Sequence, residues 1–460
     1  MNSQINQGRH GMRTMRLCLI AVTVFLLLPI AAMAYQLDLF GISARSIALA
    51  NSYSILSDGP EACYYNPGAL IESKTIRGFA GYMYAMPAMS VEQRDKNSQA
   101  YPASDEVKAA KLIDPAQWFT IGVSGGIKER VYLGIITQIP LDGSQRRKWF
   151  SPDQPYFLNY DTGVFGWTIV PAVGVQVIPN VGIGLGAHII IDGSGDIAPS
   201  IPVSTVQDPN KIPESHVVAH DKMDGQFAPI IGVYGRPLEY LRVGATYRGQ
   251  SQRYLDKHYD QILDATTGSF VNVEYEVKYN FKPRTFTLAV SGNPTDYITL
   301  IGQFTWENWR SYDPPFPKMS VNYRGIPVHA SEKVFDVPNV NFSDCVVPSF
   351  GFEGRPMKYM NMDIGYAFRT NPVPDQTGTT NILNSPVHVL GIGLGGQFLG
   401  PKNDIVHIDA GFQIHIMRSQ EVTKVKSNML ETDPTTNPMY PKLYTAGAVL
   451  VGGMTASLKF

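Results

Sequence analysis

The chain has 460 residues, of which 44% are hydrophobic and 17% charged, with 38 Lys and Arg against 39 Asp and Glu. Ordinary globular domains carry about 25% charged residues, so charge is scarce here. The near-zero net charge argues against a nucleic-acid partner, which requires a basic surface, and the apolar and aromatic content argues against disorder. With 42 Gly and 33 Pro, two residues that disrupt helix interiors, the composition favours a β protein.

The N-terminus has the features of a secretory signal. Two arginines precede an uncharged apolar run, residues 17–30, and the small-residue step Ala-Met-Ala follows at 32–34. A positive region, a short apolar region and such a step are typical of a cleaved signal peptide. The alternative is an uncleaved membrane anchor, but Pro29 and the Ala-Met-Ala step favour cleavage. The sequence predicts a signal peptide over residues 1–34 and a mature chain that begins near Tyr35.

Alternation of apolar and polar residues marks the strands. In residues 450–460, Leu458 and Phe460 fall on one face, whereas Ser457 and Lys459 fall on the other. A soluble sandwich shows the same pattern with its apolar face inward. The signal peptide and the terminal Phe favour an outer-membrane barrel, in which lipid-facing and lumen-facing residues alternate over about ten residues.

Connections that are alternately short and long support the barrel. Tight periplasmic turns and long extracellular loops are expected of one, and the number of strands is usually even. We predict an all-β, membrane-spanning antiparallel β-barrel of about 14 strands over residues 75–460, with Pro283 as a kink in one strand. The strands are predicted near 75–88, 117–127, 130–140, 163–177, 181–192, 226–236, 240–250, 273–292, 297–307, 346–355, 360–370, 386–398, 404–417 and 444–460, and the long loops near 89–116, 141–162, 193–225, 251–272, 308–345, 371–385 and 418–443.

Residues 35–74 precede the first strand, so they must lie outside the barrel wall, either in the periplasm or in the lumen. They contain a short helical stretch near 42–50 and a turn at 57–60. Their apolar content and tight turns suit a packed segment better than a flexible tail. We therefore predict an N-terminal plug, or hatch, inside the lumen, which would block free diffusion.

Several motifs follow one another in a familiar order. An aromatic start at 35–37 precedes a small-residue helix at 43–50, an acidic turn at 57–58 and Asn66-Pro67-Gly68-Ala69, and further matches lie at 241–248, 304–309 and 371–375. In order and spacing these motifs resemble the FadL/TodX (OmpP1) family of outer-membrane transporters for hydrophobic compounds. Gly68 departs from the Ala that is usual in the family.

The resemblance implies a mechanism. Family members capture a hydrophobic ligand among their extracellular loops, pass it to a lumenal pocket beside the N-terminus of the plug, and release it sideways through the barrel wall into the outer leaflet. Tyr35, Leu37 and Phe40 would then be the plug groups that meet the ligand, and Asn66 and Pro67 would hold the plug. The loop 141–162 is the candidate capture groove, or alternatively a loop packed on its neighbours; its apolar residues are Trp149, Phe150, Pro152, Tyr156, Phe157 and Leu158.

Two arginines are candidates for a ligand that carries a carboxylate. Such a ligand favours a buried, bidentate Arg, and Arg248 and Arg369 are predicted to face the lumen toward its outer side. The alternative is simple pairing with lumenal acids, for which Glu307, Asp363 and Asp409 are the natural partners.

No pattern indicates catalysis. His407 and His415 share a strand face with Asp409, but eight residues of strand separate them by about 26 Å, and His216 with His220 is thin support for a metal. We predict no enzyme activity, no cofactor and no metal, and free or buried cysteines at 63 and 345.

The expected protein is a monomer in contact with outer-membrane lipid and lipopolysaccharide, and its partner is a hydrophobic small molecule. The sequence leaves open whether this is a long-chain fatty acid or an aromatic hydrocarbon. Two rival functions also remain: an adhesin or receptor that uses its long loops, and a general porin.

Overall fold

The structure is a computed structural model that describes most of the chain. The predicted signal peptide, Tyr35, Trp149, Phe150 and Pro152 lie outside these residues. The described residues are 36–95, 97–100, 113, 115–141, 155–160, 167–191, 195–197, 200–202, 214–223, 226–264, 269–312, 318–324, 340–378, 380–399, 405–424 and 442–459.

Strands dominate the described part of the chain. They are β1 (Arg77–Arg94), β2 (Ala116–Lys128), β3 (Val131–Pro140), β4 (Tyr156–Phe157), β5 (Trp167–Ile178), β6 (Val181–Ile191), β7 (Gly195–Ile197), β8 (Ser200–Pro202), β9 (Glu214–Met223), β10 (Gln226–Leu238), β11 (Leu241–Arg248), β12 (Ser251–Asp264), β13 (Ser269–Lys282), β14 (Thr285–Thr295), β15 (Ile298–Glu307), β16 (Lys318–Arg324), β17 (Cys345–Met357), β18 (Met360–Arg369), β19 (Ile382–Leu383), β20 (Val387–Leu399), β21 (Ile405–Thr423) and β22 (Lys442–Lys459).

Fourteen of these strands form a closed antiparallel barrel. Their order is β1-β2-β3-β5-β6-β10-β11-β14-β15-β17-β18-β20-β21-β22. The closure is long, because β22 pairs with β1 from Arg77 opposite Lys459 to Arg94 opposite Lys442. This confirms the predicted fold, and each of the fourteen predicted strands overlaps one strand of the barrel.

The predicted strand 273–292 is two strands. β13 ends at Lys282 and β14 begins at Thr285, so the chain breaks at Pro283. A proline has no N–H for the ladder and is found at strand ends and bulges. Pro283 is therefore a boundary rather than a kink.

The long connections are not all loops. The segments predicted as loops at 193–225, 251–272 and 308–345 contain strands of a second, six-stranded sheet with the order β16-β13-β12-β9-β7, and β8 pairs with β9. The signal was present in the sequence: apolar residues at 271, 273, 275, 277 and 279 alternate with polar ones. This alternation extends past the barrel because β12 and β13 pair with each other as a hairpin.

The wall is apolar outside and polar inside. In β18, Met362 and Ile364 are exposed, whereas Asp363 and Arg369 are buried. A soluble sandwich would bury the apolar residues instead, and the observed arrangement is that of a lipid-facing barrel. In the part of the chain that the structure describes, no helix has the length and apolarity needed to cross a membrane.

The N-terminal segment forms three short helices, α1 (Gln36–Phe40), α2 (Ala44–Ala48) and α3 (Ala62–Tyr65), and a 3-10 helix (Pro67–Glu72). α2 begins at a capping box, in which the Ser43 side chain accepts from the Ser46 N–H and the Ser46 side chain accepts from the Ser43 N–H. Both residues fit this role because a hydroxyl can satisfy the free N–H groups of a first helical turn.

The segment contacts opposite walls of the barrel. α2 packs on β20, β21 and β22, and the 3-10 helix packs on β5, β6 and β10. At both contacts the wall offers glycine: a Cβ at Gly411 would lie 1.9 Å from the Ala44 carbonyl oxygen, and one at Gly184 would lie 2.1 Å from the Pro67 carbonyl carbon. The segment therefore crosses the interior of the barrel, backbone against backbone.

Candidate ligand site

A small cavity lies between the N-terminal segment and the wall. Its volume is about 70 Å³, and we call it the central cavity. α1 and α3 border it on one side, and β11, β14, β15, β17, β18, β20 and β21 border it on the other. Among its lining residues are Asp38, Leu39, Asn51, Tyr64, Thr246, Arg248, Gln303, Glu307, Ser349, Arg369 and His415.

Arg248 is buried at the end of β11 and bonds to the N-terminal segment. Its Nη1 donates to the Asp38 carboxylate and to the Tyr64 hydroxyl, the latter at 3.0 Å, and its Nη2 donates to the Tyr64 carbonyl oxygen at 3.0 Å. The guanidinium carbon also lies 4.0 Å from the centre of the Tyr64 ring. Arg248 thus ties the wall to both α1 and α3.

Asp38 collects donors from several elements. Besides Arg248 it accepts from the Tyr64 hydroxyl, and the Lys282 Nζ lies 3.6 Å from its Oδ2. Burial alone would raise the pKa of this carboxyl, but Arg248, Lys282 and the Tyr64 hydroxyl outweigh burial and hold the pKa of Asp38 well below its usual value. Asp38 is therefore ionised at neutral pH.

Arg369 stands on the other side of the central cavity and is paired. Its Nη1 donates to Glu307 Oε1 at 2.7 Å and to Oε2 at 2.6 Å, and the Trp309 indole N–H donates to Glu307 Oε2 at 2.8 Å. Glu307 is thus the predicted partner, whereas Asp363 and Asp409 belong to another cluster. The structure brings both predicted arginines to one cavity, each already holding a carboxylate.

An apolar layer covers the central cavity beside α1. The Phe40 ring lies 6.0 Å from that of Trp118, 6.2 Å from that of Tyr160 and 5.3 Å from that of His415. Tyr156 and Phe157 form β4, pair with β19, and are buried in the same cluster. These two residues of the predicted loop 141–162 are therefore packed, and residues 142–154 and 161–162 lie outside the described part of the chain.

Asn66 and Pro67 fix the segment to the wall. The Asn66 Nδ2 donates to the Val233 carbonyl oxygen at 3.0 Å, and its Oδ1 accepts from the Gly68 N–H at 3.0 Å. A Cβ at Gly68 would lie 2.8 Å from the Gly232 carbonyl oxygen. The departure from Ala at position 68 therefore has a steric reason, because this turn touches the backbone of β10.

A second, polar cavity of about 420 Å³ lies near the short turns. Ion pairs connect the segment to the wall there: Arg45 pairs with Glu353, and Asp58 Oδ2 lies 2.7 Å from Arg77 Nη1. Glu61 lines the same cavity, and burial raises its pKa to about 7. Sequence reasoning did not find this cluster.

The other residues considered as site candidates are not brought together at one place in the described part of the chain. Of Tyr35, Trp149 and Phe150 nothing is described, and Leu37 lies in α1. His407 lies in the polar cavity and His415 in the central one. The described residues contain no group of three or more His, Cys, Asp or Glu side chains that could hold a metal ion, and Cys63 and Cys345 are free and buried, as predicted.

Asp38, Tyr64, Trp118 and His188 were missed by sequence reasoning. A signal existed for Asp38, because it is the one charge within the apolar start Tyr-Gln-Leu-Asp-Leu-Phe. A lone carboxylate in such a segment needs a cation when it is buried. Tyr64 and His188 come close to Asp38 only through tertiary contacts, which the sequence does not show.

Comparisons with known proteins agree with this architecture. The alkane uptake protein A of Marinobacter nauticus (strain ATCC 49840 / DSM 8798 / CIP 103578 / SP17) is 21% identical over 451 residues, which cover 93% of this chain and 94% of that protein. A Pseudomonas aeruginosa FadL homologue has a similar fold, with a TM-score of 0.59, 14% identity, and coverage of 91% of this chain and 98% of that one. The P. putida toluene transporter TodX matches with a TM-score of 0.52, 11% identity, and coverage of 92% and 99%.

The family described as outer membrane protein transport protein (OMPP1/FadL/TodX) matches residues 26–460. This match spans the N-terminal segment and the whole barrel. The chain is an outer-membrane β-barrel and belongs to the OMPP1/FadL/TodX family.

Proposed function

We propose that this protein imports hydrophobic small molecules across the outer membrane, and that residues 35–74 act as its plug. The observation that carries the proposal is the central cavity, which joins an apolar layer on one side to the N-terminal segment on the other. Small-molecule sites usually occupy about 300–1,000 Å³, so a cavity of about 70 Å³ is a closed state. Uptake therefore requires α1 to move.

The substrate class follows from the lining and from the relatives. One relative is named as an alkane uptake protein, and one solved neighbour as a toluene transporter. The buried cluster around Phe40, Trp118 and Phe157 offers aromatic and aliphatic surface of the kind that such molecules prefer. We propose long-chain aliphatic or aromatic compounds as cargo.

Lateral release is part of the proposal, and the β5–β6 seam is the favoured exit. Pairing between these strands stops after Ile169 opposite Ile189 and resumes at Ala172 opposite Gly186. The gap contains Pro171, whose nitrogen has no hydrogen to donate. On the far side of β6, Pro229 stands opposite Ala187, so a second proline flanks the same place.

This seam lies close to the central cavity. His188, inside the wall at the gap, is buried, and its ring centre is 6.1 Å from that of Tyr64, which lines the central cavity. A side path here is short and ends on the lipid-facing surface. Apolar cargo is more stable in lipid than in a water-filled channel, so sideways release suits it.

The exit is tested by a variant that restores the missing N–H donor at position 171. Pro171→Ala allows the ladder to close and is expected to slow uptake of radiolabelled hexadecane or toluene by cells several-fold. Pro348→Ala in β17 is the matched control, because it changes a barrel proline away from this seam. Equal uptake by both variants and the unchanged protein would contradict the seam as exit.

The two rival functions have their own test. A steady, large conductance of the purified protein in planar bilayers would indicate a porin and contradict a plugged importer. A strain that lacks the protein but takes up hexadecane and toluene at the normal rate would contradict hydrophobic uptake and favour a receptor. We expect low conductance, and uptake reduced by loss of the protein.

A further inference from the structure

Four buried polar atoms on β2 and β3 have no hydrogen-bond partner within the described part of the chain. They are the Trp118 Nε1, the Thr120 Oγ1, and both the Oε1 and the Nε2 of Gln138, and all three side chains are buried. Buried polar groups almost always bond to protein, water or a ligand. Four such atoms at one place therefore indicate a site that a further molecule completes.

The four atoms belong to one continuous patch of the wall. Thr120 stands directly opposite Gln138, and side chains so placed on antiparallel strands have Cβ atoms about 4.5–5.5 Å apart. Trp118 comes two residues before Thr120, so it lies on the same face of β2. This face is the lumenal one, because Phe119, between the two, is exposed on the lipid side. We call Trp118, Thr120 and Gln138 the neutral patch.

The neutral patch lies between the apolar layer and the β5–β6 seam. At one end, the Trp118 ring lies 6.0 Å from that of Phe40 in the layer. At the other end, Gln138 stands opposite Thr168 on β5, and the pairing of β5 with β6 is interrupted shortly after this residue, at Pro171. Cargo that moves from the layer to the seam therefore passes the patch.

The chemistry of the patch suits an uncharged oxygen. The Trp118 indole is a donor only, whereas the Thr120 hydroxyl and the Gln138 amide can each donate and accept. An alcohol hydroxyl can accept from one of these donors and donate to the Gln138 Oε1. A carboxylate can only accept, and its charge would be buried beside three side chains that carry no cation to balance it.

We propose that the neutral patch binds a hydroxyl or carbonyl group of the cargo, and that the protein prefers long-chain alcohols and ketones to alkanes of the same length. A site built to hydrogen-bond a hydroxyl discriminates against the analogue without one, because the buried polar groups of the site are then left unpaired. The preference thus comes from the wall of the barrel and requires no charged residue.

This inference rests on the proposed uptake function, and the test separates the two. Binding of radiolabelled 1-hexadecanol and hexadecane to the full-length protein in detergent micelles is compared between the unchanged protein and Gln138→Met. Methionine is close to glutamine in size but has no amide. 1-Hexadecanol is expected to bind about tenfold less tightly to the variant, and hexadecane at least as tightly as before.

Gln117→Met is the matched control. It makes the same change on the other face of β2, where the Tyr82 hydroxyl donates to the Gln117 Oε1, and it is expected to leave both affinities unchanged. Trp118→Phe removes the indole N–H but keeps a ring beside Phe40, and it is expected to weaken 1-hexadecanol several-fold and to spare hexadecane. The mobility of unheated protein on electrophoresis verifies that each barrel is folded.

A spectroscopic measurement reports on the hydrogen bond itself. The infrared carbonyl stretch of 2-heptadecanone is expected to lie at lower frequency when the ketone is bound to the unchanged protein than in hexadecane solution, because hydrogen bonding weakens the carbonyl bond. In Gln138→Met the stretch is expected to move back toward the solution value. A substitution that altered only the packing of the wall would not produce this shift.

Three results would overturn the neutral patch as a binding site. Unchanged 1-hexadecanol affinity in Gln138→Met, beside measurable hexadecane binding, shows that the patch holds water only and leaves the uptake function standing. An equal loss for both probes, with the carbonyl stretch unchanged, shows a structural role. Absence of binding of both probes to the unchanged protein rejects the uptake function, and the patch with it.

Discussion

The backbone of Pro67 crosses β6 at Gly184 with no room for a side chain: a Cβ at Gly184 would lie 2.1 Å from the Pro67 carbonyl carbon and 2.3 Å from its oxygen. Real Cβ atoms do not approach backbone atoms so closely. With a side chain at position 184, β6 and the 3-10 helix could therefore not both keep their positions. The contact is one of the points at which the segment is held inside the barrel.

Gly184→Ala is therefore expected to displace the N-terminal segment while the barrel remains closed. The variant should show a larger bilayer conductance and make cells more sensitive to large antibiotics. Gly452→Ala is the control, because nothing lies within 4 Å of a Cβ at Gly452. Equal conductance of the two variants would show that the contact does not hold the plug.

The pair Arg369–Glu307 predicts a non-additive mutant cycle. Each single change, Arg369→Met or Glu307→Gln, leaves a buried charge without its main partner, which costs about 3–5 kcal/mol. The double variant removes both charges and should recover most of that loss. Urea unfolding in micelles measures the free energies of unfolding of the unchanged protein and the three variants; simple addition of the two single effects would contradict the pairing.

Glu61 predicts a pH dependence that runs opposite to that of Asp38. Burial raises the pKa of Glu61 to about 7, from 4.5 in the unfolded chain, so the folded state binds the proton more tightly. Its contribution to stability is complete below about pH 4.5 and declines as the pH rises through about 7, by about 3 kcal/mol in total.

The measurement is hydrogen exchange of α3 at pH 5 and pH 8. Protection in the unchanged protein should fall between these values, and Glu61→Gln should abolish most of the fall. Glu239→Gln, at an exposed turn residue, is the control. The same fall in the Glu61→Gln variant would assign the pH dependence to another group.

The apolar layer predicts a role for Phe157, which is fully buried in β4. Phe157→Ala removes aromatic surface and leaves a void, at a typical cost of about 3–5 kcal/mol in a packed core. We expect faster exchange in α1 and weaker binding of 1-hexadecanol. Phe350→Ala, on the exposed face of β17, should change neither; unchanged α1 exchange in Phe157→Ala would separate the layer from the plug.

The strands of the barrel wall could be predicted from the sequence, whereas the side-chain contacts in the lumen could not. Alternation located β18 and β22 to within a few residues because the lipid environment imposes a strict period of two on the wall. The same period made β13 and β14 look like one strand, because apolar and polar residues alternate on both sides of Pro283.

The pairing of side chains inside could not be read in the same way. Arg248 was recognised as a lumenal cation, but its partner Asp38 lies 210 residues away and no periodicity connects them. Glu307 was identified as a partner of Arg369 by charge alone. The path of the N-terminal segment determines which of the possible partners meet. This path depends on glycines such as Gly184 and Gly411 on opposite walls.

The position of β1 predicts an order of assembly. The N-terminal segment leads directly into β1, and β1 closes the barrel by pairing along its whole length with β22, the last strand of the chain. This contact joins the most distant parts of the sequence, so it is costly in chain entropy and slow to form. The segment packs on opposite walls of the barrel, so we expect it to enter the lumen before this last seam forms. Closure of the barrel thus encloses the N-terminal segment in a wall that the two ends of its own chain complete.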